Sequence, residues 1–255
     1  MISKTKPIID VQNLSFGYDN FVLMDNISFA VNPHDIFIVM GGSGCGKSTL
    51  MHILTGLKKP FDGKIEINGT DILHSPETQR KNILQHCGIL YQSGALFSSM
   101  TLAENIALPL QQYTSYSEKL IKELVSLKLA LVGLAGFEDF YPAEISGGMC
   151  KRAGLARALA LDPDIVYCDE PSAGLDPISS RNLDDLIIEL NQSLGTTFVV
   201  VTHELASIFA IGTNSIYLDG KTKSILGYGN PNKLLKASDQ PEILEFLTRG
   251  EKSHG

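Results

Sequence analysis

The run "MGGSGCGKSTL", Met40 to Leu50, sits between the apolar "IFIV" and the helix-like "STLMHILTGL". Glycines crowded into that junction weaken both a strand and a helix, so they must serve something else. Gly41-Gly42-Ser43-Gly44-Cys45-Gly46-Lys47-Ser48 fits G-x-x-x-x-G-K-[ST] in the required place, after a strand and before a helix. Glycines let successive backbone N–H groups turn inward toward phosphate oxygens, and the helix N-terminus adds partial positive charge. Lys47 can reach β- and γ-phosphates, and the Ser48 hydroxyl can hold Mg²⁺. The run therefore predicts a strand–loop–helix unit around a nucleoside triphosphate.

Composition removes several other classes. A chain of 255 residues, 44% hydrophobic and 19% charged, can bury a full core as one large domain or a core with a subdomain. A net charge of −7 argues against a strongly basic nucleic-acid binder. No apolar run reaches the roughly 20 residues of a membrane helix. The nearest, "FVVVTHELASIFAIG", carries His203 and Glu204 inside it. The start, "MISKTKPIIDVQ", lacks the long apolar core of a signal peptide. Cys45, Cys87, Cys150 and Cys168 form no CxxC pair, which suits reduced thiols in a cytosolic protein.

Along the chain, "IIDVQNLSFGY" and "VLMDNISFAV" read as short strands, and Asn68-Gly69 in "GKIEINGTDI" is a hairpin signal. They predict a small antiparallel sheet beside the "IFIVM" strand. A helix from Ser48 ends near Gly56. Residues of about 95–160 are dominated by helical patterns, among them "SYSEKLIKELVSLKLALVGL", with a serine N-cap and a stop at Gly133. Then "DIVYCDE", "SRNLDDLIIELNQSL", "TTFVVVTHE" and "SIYLDG" alternate strand and helix, which implies a parallel sheet covered by helices. The fold class is α/β, with an N-terminal antiparallel β-subdomain and an inserted α-helical subdomain. The tail "RGEKSHG" is expected to fray.

Two further stretches carry chemistry. "DIVYCDE" delivers Asp169 and Glu170 to the carboxyl end of a strand, where Asp169 can bind the Mg²⁺ directly or through water and Glu170 can polarise an attacking water. Ser146-Gly147-Gly148 opens a helix 23 residues before Asp169, a serine cap with bared first-turn N–H groups. One γ-phosphate does not need two such anion sites from one subunit. A dimer explains both, each subunit's Ser-Gly-Gly closing over its partner's nucleotide.

With these motifs in this order, the chain resembles the nucleotide-binding subunit of an ABC transporter, from about Val11 to Leu235. "GGSGCGKST", Gly41 to Thr49, resembles the Walker A loop, "ISGGM" the signature and "IVYCDE" Walker B. "AGLDP" is similar to the D-loop, which implies Asp176 near the subunit interface. The resemblance implies that His203 reaches the γ-phosphate, that Gln92 ligates Mg²⁺ and senses the membrane partner, and that Tyr18 stacks on adenine. It also implies one ATPase domain over 1–255: a core of 1–92 and 157–245, a helical subdomain of 93–156, and a tail of 246–255. Ile145 and Met149 stand where leucine and glutamine are usual, His34-Asp35 where Gly-Glu is usual, and Gly42 where proline is frequent. None of these removes a phosphate ligand.

"YQSGALFSSMTLAENIALPL", "SGGM", "DEPSAGLDPISS" and "VTHEL" are similar to the ATPases of Mla/MCE-type lipid transport systems. That resemblance implies a phospholipid cargo, ATP and Mg²⁺ as ligands, and a second copy of the chain as partner. It further implies an integral-membrane permease, an MCE-type lipid-binding subunit, no nucleic acid, and a peripheral position on the cytoplasmic face of the inner membrane. The ATPase of an amino-acid or metal importer shares every catalytic motif and stands as the alternative. Leu96, Phe97 and Met100 are either internal packing or a socket for a permease helix. In a dimer Cys45 and Cys150 would approach each other across the interface, so either an inter-subunit disulfide is open to them or Cys150 faces the helical core.

Overall fold

The computed structural model describes residues 6–19 and 21–249. In chain order the elements are β1 (Ile9–Tyr18), β2 (Phe21–Val31), β3 (Ile36–Gly41), α1 (Lys47–Leu54), β4 (Asp62–Ile67), β5 (Thr70–Asp71) and α2 (Glu77–Gln85). They continue with β6 (Cys87–Leu90), α3 (Leu102–Tyr113), α4 (Glu118–Leu131), α5 (Gly147–Ala158), β7 (Ile165–Asp169) and α6 (Pro177–Leu194). The last are β8 (Thr197–Val201), α7 (Leu205–Ile211), β9 (Asn214–Asp219), β10 (Ser224–Tyr228), α8 (Pro231–Ala237) and α9 (Pro241–Leu247). The chain forms two compact units, Met1–Leu84 with Thr197–Gly255, and Gln85–Thr196.

In the first unit β1 lies between β2 and β4, antiparallel to both, and β5 extends β4. The inward set on β1 is Ile9 and Val11, then Leu14 and Phe16, so its two-residue alternation slips by one. Register shifts fall there, and Asn13 and Asn26 both adopt left-handed φ, near 50°, on the paired strands. Ser28 Oγ accepts from the Asn13 N–H and Ser15 Oγ from the Asn26 N–H, so the bulges leave no amide stranded at these two points. Asn68 and Gly69 make the tight turn of the β4–β5 hairpin with φ of 50° and 78°, the type I′ pattern their sequence predicts.

The same unit places β3 between β8 and β9, parallel to both, with β10 antiparallel to β9. All six residues of β3 are buried, the continuous apolar pattern of a strand covered on both faces. The Phe29 and Phe37 rings stack with centroids 5.7 Å apart, fastening the antiparallel sheet beside β3 as the sequence leads one to expect.

The second unit pairs β6 with β7 in parallel and surrounds them with helices. Thr101 and Glu104 form a reciprocal capping box at α3, Ser117 caps α4, and Gly133 turns the chain after it with φ 68°. Asn105 is fully buried, and its amide bonds the loop before α3 through Phe97, Met100 and Thr101. Among the described residues no helix is long and apolar enough to cross a membrane. Of the tail expected to fray, residues 250–255 lie outside the described residues. Arg249, which precedes them, places Nη2 3.9 Å from Glu204 Oε2.

Candidate nucleotide-binding site

The first unit carries Tyr18, the loop Gly41 to Thr49, and His203. The loop leaves the carboxyl end of β3, and Gly46 precedes the first residue of α1 with φ 103° and no side-chain cap. Gly41 has φ 150°, and a Cβ there would stand 2.3 Å from the Leu218 carbonyl oxygen. At Gly46 a Cβ would stand 3.0 Å from the Phe16 ring. These two positions therefore need glycine for both backbone freedom and space. Lys47 curls back over the loop, and its ammonium donates to the carbonyls of Gly41 and Gly42, both at 2.9 Å. Gly42, Ser43, Gly44 and Ser48 are exposed, so the loop's inner rim is open.

Thr49 is buried, and its hydroxyl bonds Tyr18 Oη at 2.9 Å. The Tyr18 ring is half exposed, with Lys58 Nζ 3.6 Å from its centroid, a cation–π contact. Val39 pairs with Val201 in the parallel β3–β8 register. Gly41 and His203 each follow two residues later, so they leave the same edge of adjacent strands. His203 is largely exposed, with Nε2 3.7 Å from Glu204 Oε1, and Glu204 also faces Arg249.

The second unit carries Gln92, Ser146 to Gly148, Asp169, Glu170 and Asp176. Leu90 pairs with Cys168 across β6 and β7, so Gln92 and Glu170 again follow at equal offsets from one register pair. Asp169 Oδ1 and Glu170 Oε2 are both buried, and Glu170 adopts left-handed φ, 47°. Ser146 caps α5 as its sequence predicts, Oγ accepting from the Met149 N–H at 3.3 Å. Asp176 caps α6, accepting from Ile178 and Ser179 N–H, each at 3.0 Å. Hydrogen bonding from Ser179 above all holds its carboxyl below the usual range. Phe97 is half exposed, whereas Leu96 and Met100 are only partly so.

A serine hydroxyl, a glutamine amide and a carboxylate are hard oxygen donors of the kind Mg²⁺ takes alongside phosphate and water. Among the described residues no cluster of three or more His, Cys, Asp or Glu could hold a metal by itself. By their chemistry, each of these donors suits a magnesium ion.

Cys45 and Cys150, the pair raised for an inter-subunit disulfide, are both free thiols. Cys45 is 3% exposed, tucked under the phosphate loop with Sγ 4.0 Å from Lys47 Nζ. Cys150 donates its thiol to the Pro142 carbonyl at 3.4 Å. Each sulfur faces its own subdomain, and burial raises both pKa values. Sequence reasoning also passed over Lys58, Glu204, Lys151 and Arg157. Only Lys151 left a signal: it shares a helix face with the apolar Leu155 and the small Gly154, where a surface lysine does not belong.

A strand-borne glycine loop before a helix, with acidic residues at another strand end, defines the class, a phosphate-loop nucleotide-binding cassette. The ABC transporter family model matches residues 24–173, and the chain belongs to that family. It is 37% identical over 244 residues to the Haemophilus influenzae intermembrane phospholipid transport system ATP-binding protein MlaF, covering 96% of this chain and 91% of that one. The Escherichia coli K12 protein of the same name is 38% identical over 240 residues, 94% and 88% of the two chains. The probable ribonucleotide transport ATP-binding protein mkl of Mycobacterium tuberculosis H37Rv is 40% identical over 239 residues, 94% of this chain; the match spans about two thirds, 66%, of the mycobacterial protein.

Among solved structures, the dimeric ATP-binding cassette MJ0796 in a post-hydrolysis state with ADP and Pi superposes with TM-score 0.77 at 26% identity, covering 87% of this chain and 98% of that one. CbiO1 from Clostridium perfringens matches in fold with TM-score 0.80 at 24% identity, over 93% and 98% of the two chains. The α/β class with an antiparallel sheet and a helical part is the architecture of these cassettes.

Proposed function

We propose that the chain is the ATP-hydrolysing subunit of an ABC transporter that moves phospholipid between the inner membrane and the outer envelope. The observation that carries the ATPase reading is the phosphate loop: glycine-only backbone at Gly41 and Gly46, with the Lys47 ammonium curled onto the Gly41 and Gly42 carbonyls, ahead of α1. Gly41 to Thr49 bind the phosphates of ATP, and Tyr18 stacks on adenine. Ser48, Gln92 and Asp169 provide oxygen ligands for Mg²⁺, which supplies charge neutralisation at the phosphates. Glu170 takes the proton of the attacking water, and His203 holds the γ-phosphate.

Two copies close around two ATP. Ser146, Gly147, Gly148 and Asp176 of each act on the nucleotide of the other, in keeping with the dimeric form of the related cassette MJ0796. Closure drives a membrane permease, which seats near Phe97, and hydrolysis resets it. The core of 1–92 and 157–245 binds nucleotide, while 93–156 faces the permease. The chain lies peripherally on the cytoplasmic face of the inner membrane, with an MCE-type subunit on the far side. The phospholipid cargo follows the naming of the MlaF relatives, which match nearly the whole chain.

Glu170→Gln should bind ATP and turn over at least ~100-fold more slowly, as loss of a general base demands. The same variant, tagged in its native cell, extracted gently and purified with ATP, tests the cargo. A multispanning permease with an MCE-type subunit and enriched phospholipid is the expected catch. A binding protein for small polar solutes keeps the ATPase and removes the lipid.

A further inference from the structure

We propose that Lys151 is the positioning residue of the reaction centre, one buried ammonium that holds Gln92 and Glu170 in mutual register. The inference rests on the reading of Gln92 and Glu170 given above.

Lys151 lies in the second turn of α5 and is 5% exposed. Its Nζ donates to the Gln92 carbonyl and, at 3.4 Å, to the Glu170 carbonyl. Those two residues leave the paired strands β6 and β7 at equal offsets, where the sheet ladder has ended and no longer sets their spacing. The ammonium bridges them just beyond that point. Glu170 sits in a left-handed conformation that a side-chain-bearing residue keeps only when its surroundings impose it. Its carbonyl is held from two sides, by Lys151 and by the Ala173 N–H at 3.1 Å.

The same helix face grips the loop further along. Lys151, Gly154 and Arg157 recur every three residues and so lie along one side of α5. A Cβ on Gly154 would stand 2.9 Å from the Gly94 carbonyl oxygen, and Arg157 donates to the Ala95 and Gly94 carbonyls at 2.9 and 3.2 Å. A lysine taken out of water in this way needs compensation. Burial pulls its pKa down, while the charges of Glu170 and Asp169 pull it back up. A buried ammonium has three N–H donors to satisfy. This one spans the two residues assigned to the metal and the water.

The test compares full ATPase kinetics, Mg²⁺ titration and thermal unfolding for the intact chain, Lys151→Met, Lys151→Arg and Glu170→Gln. Lys151→Met should lower kcat about tenfold or more, leave KM for ATP within about threefold, and raise the half-saturating Mg²⁺ concentration. Lys151→Arg should recover part of kcat. In the Glu170→Gln background the methionine should cost less than about twofold more, because both changes disable one step. Should Lys151→Met not fold, Lys151→Gln, which keeps a donor of shorter reach, carries the same measurements. Unchanged kcat, equal losses in thermal stability and activity without rescue by arginine, or full additivity with Glu170→Gln each overturn the role. If Glu170→Gln keeps wild-type turnover, the underlying reading has failed and this inference falls with it.

Discussion

The Tyr18 hydroxyl bonds Thr49 Oγ1 at 2.9 Å, fixing the ring that ends β1 to the first turn of the helix after the phosphate loop. The Thr49 side chain thereby helps to set where the ring stands. Base stacking on an aromatic ring contributes about 1–3 kcal/mol. Tyr18→Ala should therefore raise KM for ATP roughly fivefold or more, while Tyr18→Phe, which keeps the ring, should change it less than about threefold. Equal KM values for the two variants, from steady-state kinetics, would remove the stacking role.

Gly41 and Gly42 are neighbours with opposite tolerance. A Cβ at Gly41 meets the Leu218 oxygen at 2.3 Å in a backbone region reserved for glycine, whereas one at Gly42 meets nothing within 4 Å. Gly41→Ala should lose about 2 kcal/mol or more of stability and several degrees of Tm. Gly42→Ala should unfold within about a degree of wild type. Calorimetry of the two variants decides it.

Burial pushes the thiols of Cys87 and Cys168 up to about 12. A thiol with a raised pKa carries little reactive thiolate near neutral pH, and that fraction grows as pH rises. The folded chain should react slowly with an aromatic disulfide reagent at about pH 8, Cys150 first, and all four thiols should react after denaturation. Mild oxidation should leave the protein monomeric on a non-reducing gel. A covalent dimer would contradict the inward-facing sulfurs.

At Asp176 the folded pKa lies below the unfolded one, chiefly through hydrogen bonding from Ser179. Its charge therefore stabilises the fold above the unfolded value of about 4, and that contribution disappears as pH falls through the folded pKa. Asp176→Asn keeps an N-cap and removes the charge. Its stability deficit should be present at about pH 7 and vanish toward about pH 3 in denaturant titrations; a deficit constant across that range refutes the electrostatic cap.

Thr101 and Glu104 satisfy each other's backbone at the start of α3, at 3.2 and 2.8 Å. Thr101→Ala should cost about 1 kcal/mol, since it strands the Glu104 N–H. Chemical denaturation reads this directly, and no change in midpoint would show that the box adds nothing.

Much of this was legible in the sequence because it is local. The glycine loop before α1, the Ser117 and Ser146 caps, the Asn68-Gly69 hairpin and the strand-end acids depend on backbone geometry within a few residues, which residue type largely dictates. The order of these motifs was enough to reach the family. What the tertiary structure alone decided is where individual side chains spend their polar groups. Lys151 finds its acceptors 59 and 19 residues away in sequence, and Thr49 finds Tyr18 31 residues away. Packing likewise turns Cys45 toward Lys47 and Cys150 toward the Pro142 carbonyl. Such partners follow from which strands pair and in what register, a choice made by burying the whole apolar set at once.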